Sequence, residues 1–297
     1  MLEVRHRTLL LESLRPPVGY RLEAAIGTSY TLDLMALLCV PLAFTWFDWE
    51  DEEGRPSADP LALLEALRRH ARRIHVFCQA GMTALPPTGK PLLVYLERSI
   101  VEVKPPTAGG IFHPKVWVLR FVDGEGAVRY RVLVLTRNLT FDRSWDTCLV
   151  LEGDLKDRQR AYARNHPLAD FVESLPGLAV RGAVSGEAVA ATSLMQEELR
   201  RVAFEVPEGF DEDSLRFHPL GSPGYEEAWP FPQDVPGNRR LLVVSPFLDI
   251  GSLRWLVEAF PLVEVVSRPE VLARLPEDLR SDLGRLWTLV PEADPET

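Results

Sequence analysis

Lysine is scarce in this chain: only Lys90, Lys104, Lys115 and Lys156 occur among its 33 lysines and arginines. GC-rich coding or a hot habitat gives such an arginine bias, and either makes a lysine inside a motif informative. A cationic surplus is also missing. With 43 acidic residues the formal net charge is −10, which excludes a protein that coats nucleic acid over its whole surface and leaves room for a local basic groove. Cysteine occurs three times, as Cys39, Cys78 and Cys148, far apart and in apolar runs. That excludes a disulfide framework and a cysteine zinc site, and it suits a reducing cytoplasm, the expected location. No apolar run reaches the length of about 18 residues that marks a spanning helix. The longest, Leu34 to Phe47, is interrupted by Pro41. The first residues carry Glu3 and no apolar segment, so neither a secretion signal nor a membrane partner is expected.

The 297 residues, 46% hydrophobic and 26% charged, suffice for one large globular domain or two ordinary ones. Tyr20 to Tyr30 reads as a strand ending in a polar turn, and Thr31-Leu32-Asp33 opens an apolar helix to about Phe44. A helix over 60–72 carries Leu61, Leu64, Leu67 and Ala71 at helical spacing. Arg68, Arg69, Arg72 and Arg73 beside it form a solvated face or a stripe facing nucleic acid. Ile74 to Gln79 reads as a buried strand, and 92–103 as further strand. Three antiparallel segments follow at 112–122, 128–135 and 147–152, the first two joined by Asp123-Gly124-Glu125-Gly126. Helices are expected over 156–174 and 186–203. Early strands alternating with helices make the class α/β.

Pro207 to Asn238 is rich in proline, glycine and acidic residues. It divides a first lobe, 1–205, from a second, 239–297, with 206–238 as a boundary loop. The second lobe reads as strand 241–247, helix 251–260, strand 263–267, helix 270–283 and strand 286–290. This order repeats the start of the first lobe, and Val243-Val244-Ser245-Pro246-Phe247 answers to Ala25-Ile26-Gly27-Thr28-Ser29-Tyr30. The pattern reads as a diverged internal duplication with a truncated second copy.

The chemistry concentrates at Phe112-His113-Pro114-Lys115. On a strand, residues two apart share a face, so His113 and Lys115 project together. The hairpin partner runs into Leu135-Thr136-Arg137-Asn138-Leu139-Thr140, which brings Asn138 near the pair, and Ser144-Trp145-Asp146 offers a carboxylate. Zinc wants three or more ligands and only His113 and Asp146 are on offer, so neither a metal nor a cofactor is expected. Imidazole, ammonium and amide suit an anionic substrate instead. A neutral imidazole can attack phosphorus and form a phosphohistidine. A lysine beside it neutralises phosphate oxygens, and an amide adds a hydrogen bond. A carboxylate on the other ring nitrogen would fix the tautomer; Asp146 is equally well a turn or capping residue. Thr28, Ser29 and Tyr30 end a parallel-type strand, where sites lie in open α/β sheets, although packing is the simpler role for them. His75, inside an apolar strand, reads as a core or strand-edge histidine.

His113-x-Lys115 followed by Thr136-Arg137-Asn138-Leu139-Thr140 resembles the HxK…GSxN signature of the phospholipase D superfamily. The stretch 137–146 resembles bacterial phospholipase D-like proteins linked to DNA restriction and phage defence. Gly27-Thr28-Ser29-Tyr30-Thr31, Ser245-Pro246-Phe247 and Ser267-Arg268-Pro269-Glu270 extend the resemblance over most of the chain. It implies a sandwich of a mixed sheet flanked by helices. It also implies a metal-independent nuclease acting on DNA, with His113, Lys115, Asn138 and Asp146 in the catalytic group and Thr136 and Arg137 on phosphate. Departures accompany it. The family's aspartate beyond the lysine falls at Arg120, and its Gly-Ser becomes Leu135-Thr136, which keeps a hydroxyl and loses glycine's backbone freedom. Family enzymes place two HxK motifs across a pseudo-twofold axis. Here the one other approach, Phe217-His218-Pro219, is followed by Leu220 where lysine belongs. A second chain, or a portion beyond Thr297, is expected to supply the other imidazole, and a helicase-type defence protein is a further expected partner. A catalytically silent nucleic-acid-binding or docking module and a phospholipid phosphodiesterase are the alternative readings.

Overall fold

A computed structural model describes residues 9–44, 60–141, 146–180, 184–208, 210, 215–225 and 240–288. The chain divides into two compact units, Met1–Ala228 and Trp229–Thr297. The first begins with α1 (Leu10–Leu14), β1 (Tyr20–Ser29), β2 (Leu32–Asp33), α2 (Leu34–Ala43), α3 (Pro60–His70), β3 (Ile74–Gln79) and β4 (Thr83–Ala84). A 3-10 helix (Pro91–Ser99) leads to β5 (Ile100–Val103), β6 (Val116–Asp123), β7 (Val128–Leu135) and β8 (Cys148–Leu155). Then come α4 (His166–Ser174), α5 (Gly186–Leu199) and β9 (Val202–Phe204).

Seven strands form one mixed sheet in the order β5-β3-β1-β6-β7-β8-β9. β1 is its pivot, parallel to β3 on one side and antiparallel to β6 on the other. Both faces are covered by helices, so its central strands are nearly continuous apolar runs. Alternation along β3 shows the division. Phe77 joins the core with Phe171 and Val172 of α4 and Met195 of α5, while Val76 and Cys78 join Leu37 of α2 and Leu67 of α3. Local chemistry sets the helix starts: Asp33 Oδ1 accepts from Met35 N at 2.7 Å and Ser185 Oγ accepts from Ala188 N at 3.1 Å. Gly27 is required where it stands. A Cβ there would lie 2.9 Å from the ring of Trp117, its partner across β1 and β6.

Several boundaries differ from the sequence reading, each for a local reason. Pro91 opens the 3-10 helix, so only the last four residues of 92–103 are strand. Pro114 has no N–H to give a ladder, and β6 starts at Val116 rather than Phe112. The helix expected over 156–174 starts at His166, with Pro167 in its first turn. That expected over 186–203 stops at Leu199, and Val202–Phe204 turns back as a strand beside β8. Of the stretch 206–238, Leu215 is buried in the core and the Phe217 ring packs 6.1 Å from Phe204. Residues 209, 211–214 and 226–238 of that stretch lie outside the described residues.

The second unit runs β10 (Arg240–Val244), α6 (Ile250–Ala259), β11 (Leu262–Val266), α7 (Pro269–Leu272), α8 (Glu277–Asp282) and β12 (Leu286–Trp287). Its three strands are parallel, in the order β10-β11-β12. Pro276 separates α7 from α8 where a single helix was expected. No helix among the described residues is long and apolar enough to cross a membrane.

Arg120, on the α5 face of β6, is a buried cation. It donates to both carboxylate oxygens of Glu198, at 2.7 and 3.0 Å, and also pairs with Glu23. The Tyr130 hydroxyl donates to the same Glu198 at 2.5 Å. Removing the acid strands the guanidinium. Glu198→Ala is expected to cost about 3–5 kcal/mol in urea unfolding; a loss below about 1 kcal/mol, the size of an exposed pair, would show that the network does not hold α5 to the sheet.

Candidate functional site

Three segments meet at the end of β1, and hydroxyl groups join them. Ser29, 1% exposed, donates Oγ–H to Thr31 O at 2.5 Å and accepts from Leu139 N at 3.0 Å. Tyr30 N donates to Asn138 Oδ1 at 3.2 Å, and Asp33 N donates to Leu139 O at 2.9 Å. The loop after β7 is thereby docked on the end of β1. Thr28 Oγ1 accepts from Val116 N at 2.9 Å, which satisfies the first N–H of β6, and Leu135 N donates to Lys115 O at 2.9 Å. His113-Pro114-Lys115 is thus an overhang held between β1 and β7. Sequence reasoning gave Thr28, Ser29 and Tyr30 a packing role; the available signal was three successive hydrogen-bonding side chains closing an apolar strand.

His113 and Lys115 converge outside the ladder. The Lys115 Nζ lies 2.9 Å from His113 Nδ1 and 3.0 Å from Nε2, and donates to His113 O at 3.0 Å. A neutral imidazole offers one lone pair, so the ammonium bonds one ring nitrogen at a time. Lys115 is buried while His113 is exposed. Burial brings the Lys115 pKa down to about 8. Burial, and then the Lys115 charge, hold His113 below the usual imidazole value. At neutral pH the pair is a neutral ring beside a charged ammonium. Among the described residues no carboxylate pairs with Lys115. The Tyr30 ring lies 5.2 Å from that of His113, centroid to centroid, linking the pair to Asn138 through one residue.

Thr136, Arg137 and Asp146 form a neighbouring group. Thr136 Oγ1 donates to Asp146 Oδ1 at 3.1 Å and accepts from Thr147 N at 2.9 Å. Arg137 Nη1 lies 3.5 Å from Asp146 Oδ2, and its Nη2 donates to Thr140 O at 2.8 Å. Among the described residues no hydrogen bond joins Asp146 to the His113 ring; the carboxylate braces the loop. Ser144 and Trp145 lie outside the described residues. His75 is buried and its pKa is lowered to about 4 by that burial. Arg69 pairs with Glu65, and Arg73 donates to Leu22 O at 2.8 Å, an anchor to β1. Among the described residues no three His, Cys, Asp or Glu side chains are grouped to hold a metal ion.

A cavity of about 480 Å³ has His113 and Pro114 in its wall. Val134 of β7, Phe171 of α4 and Phe217 of the 215–222 segment line it, and His218 lies on the same wall.

No family model matches the chain, and no curated protein matches it in sequence. Among solved structures it is similar to yeast tyrosyl-DNA phosphodiesterase, at 11% identity over 65% of this chain and 37% of that one, with a TM-score of 0.38. It is also similar to polyphosphate kinase from Porphyromonas gingivalis, at 14% identity over 93% of this chain and 38% of that one, with a TM-score of 0.40. The chain spans less than two fifths of the length of either. The geometry above, not these overlaps, carries the functional reading.

The depressed Lys115 value has a measurable consequence. The unfolded chain binds that proton more tightly than the folded one, so stability rises as pH climbs from about 8 into the ordinary lysine range. With four lysines in the chain, carbon-13 methylation gives a spectrum simple enough to titrate each one. One signal, missing from Lys115→Met, is expected to titrate near pH 8; ordinary values for all four would contradict the buried ammonium.

Proposed function

We propose that the chain is a phospholipase D-type phosphodiesterase, a metal-independent nuclease that cleaves DNA through a phosphohistidine at His113, in a restriction or phage-defence role in the cytoplasm. One observation carries this reading: a buried ammonium that has a neutral imidazole and a backbone carbonyl as partners and, among the described residues, no counter-ion. Such a cation is costly without an anion, and a phosphodiester supplies one. A bound phosphate oxygen draws the Lys115 ammonium from the ring, and the freed lone pair attacks phosphorus. The nitrogen–phosphorus bond forms as a phosphorus–oxygen bond breaks and the leaving oxygen takes a proton. Water then displaces His113 from phosphorus. Asn138 Oδ1 is occupied by Tyr30 N, which leaves the amide N–H groups as the donors assigned to the oxyanion. Thr136 and Arg137, which Asp146 braces, are assigned to the flanking phosphate.

The leaving oxygen needs a proton donor. His70 and His75 are buried with values near 4, and His166 Nδ1 sits 2.8 Å from Arg200. His218 lines the cavity with His113 but lacks a lysine two residues on, so the second imidazole is assigned to a paired copy or a further polypeptide, with a helicase-type protein as the defence partner. The shared order of β1-β3-β5 and β10-β11-β12, both parallel, supports descent of the two units from one duplicated piece.

His113→Ala is expected to lower turnover roughly a thousandfold or more, about 4 kcal/mol of barrier, with the fold intact. Substrate labelled with phosphorus-32 should leave acid-labile label on the wild-type chain and none on the variant, with or without EDTA. Wild-type cleavage by the variant would end the proposal. In a dilution series scored for mass and cleavage, activity should fall as paired chains separate. A strict monomer cleaving at full rate would place the proton donor within the chain, and His218→Gln would then be the variant to test.

A further inference from the structure

The cavity beside His113 has a composition that a bare sugar–phosphate backbone does not need. A phosphate held by His113 and Lys115 has this space next to it, since His113 is part of its wall. Val134, Phe171, Leu178 and Phe217 make the interior apolar and partly aromatic. Ile111 and Leu220 stand at 60% and 52% exposure, so apolar surface continues to solvent. Polar side chains are few: Thr107, Arg216 and Ser222 accompany the two histidines. At about 480 Å³ the space is of the size that takes a small-molecule moiety.

Charge is the second observation. Binding nucleic acid through its phosphates takes several available cations. This chain carries a net charge of −10, and among the described residues Arg216 is the one arginine in the cavity lining. Apolar and aromatic walls add a second source of affinity, since an unstacked base can lie against them. We propose that the cavity receives one unstacked nucleobase beside the scissile phosphate, which makes the substrate single-stranded nucleic acid or a frayed end. The inference rests on the phosphodiesterase reading. An alkyl chain would also fill apolar walls, but it offers no hydrogen bond to Thr107, Arg216 or Ser222, whereas a base edge has hydrogen-bonding groups for them.

The test uses the full chain carrying His113→Ala, so that binding is read without cleavage, and fluorescence anisotropy with a labelled oligothymidylate. An abasic strand of the same length and a duplex serve as comparisons. Oligothymidylate is expected to bind about tenfold or more tightly than either. Ile111→Asn and Leu220→Asn, which remove apolar surface without adding charge, should abolish that advantage without weakening abasic binding; both residues are exposed, and the thermal midpoint checks that each variant folds. Equal binding of the normal and abasic strands, preference for the duplex, or no binding at all overturns the proposal. Displacement by dodecyl phosphate but not by thymidine monophosphate does so too, and gives the cavity to an alkyl chain. Wild-type cleavage of bis(p-nitrophenyl) phosphate is read in parallel. Cleavage without base dependence sinks the cavity proposal alone, whereas no cleavage and no label on His113 sink the phosphodiesterase reading itself.

Discussion

A buried ammonium facing an imidazole is the constraint around which the first unit is arranged. Desolvation disfavours the charge on Lys115, and the groups that compensate are the His113 ring and one carbonyl. Burial first, and then the Lys115 charge beside it, hold His113 below the usual imidazole value. On the proposed reading, a nucleophilic nitrogen and a phosphate-binding cation follow from one placement. The pair also explains why lysine stands here in a chain that otherwise prefers arginine. A compact ammonium fits the narrow space beside a ring, and a planar guanidinium does not reproduce it.

The placement is made by β1. Its parallel neighbour β3 and antiparallel neighbour β6 meet across it, and the connections on the two sides arrive at its carboxyl end. Thr28, Ser29 and Tyr30 then tie those arrivals together through side-chain and backbone hydrogen bonds. These bonds lie partly or wholly out of solvent, where an unmade partner is expensive, so the loop carrying Asn138 has little freedom to stray. Burial of the strands on both faces makes this end rigid, as a site that must hold two groups near 3 Å apart requires.

Much of the scaffold was legible because its signals are local. Ile74–Gln79 has the continuous apolar character of a strand covered on both faces, and Asp33 has the side chain and position of a helix cap. The turn at Asp123 to Gly126 is equally local: Asp123 Oδ1 accepts from Glu125 N and Ala127 N, and Gly126 has a φ of +91°. Prolines were the main source of misplaced boundaries, since apolar content continues through Pro91, Pro114 and Pro276 while hydrogen bonding does not. At the site, strand alternation was the reason given for bringing His113 and Lys115 together. The structure brings them together in an overhang, through the reach of the lysine side chain. Sequence reasoning leaves Asp146 between a carboxylate on the imidazole and a turn or capping residue, because its partners Thr136 and Arg137 are set by how the loop closes. The tethering by Ser29 and Tyr30 spans over a hundred residues of chain, so the polar end of β1 marks the donors and acceptors but not their partners.

The central claim is that His113 and Lys115 form a site for a phosphoryl group, and orthovanadate tests it most directly. Vanadate accepts a fifth ligand and so imitates phosphorus under attack, without needing a leaving group, a second imidazole or any particular substrate. Vanadium-51 NMR of the intact chain is predicted to show one bound vanadate per chain, lost in His113→Ala and in Lys115→Met while both variants keep the wild-type fold. Vanadate that fails to bind, or that binds unchanged to both variants, would contradict the account.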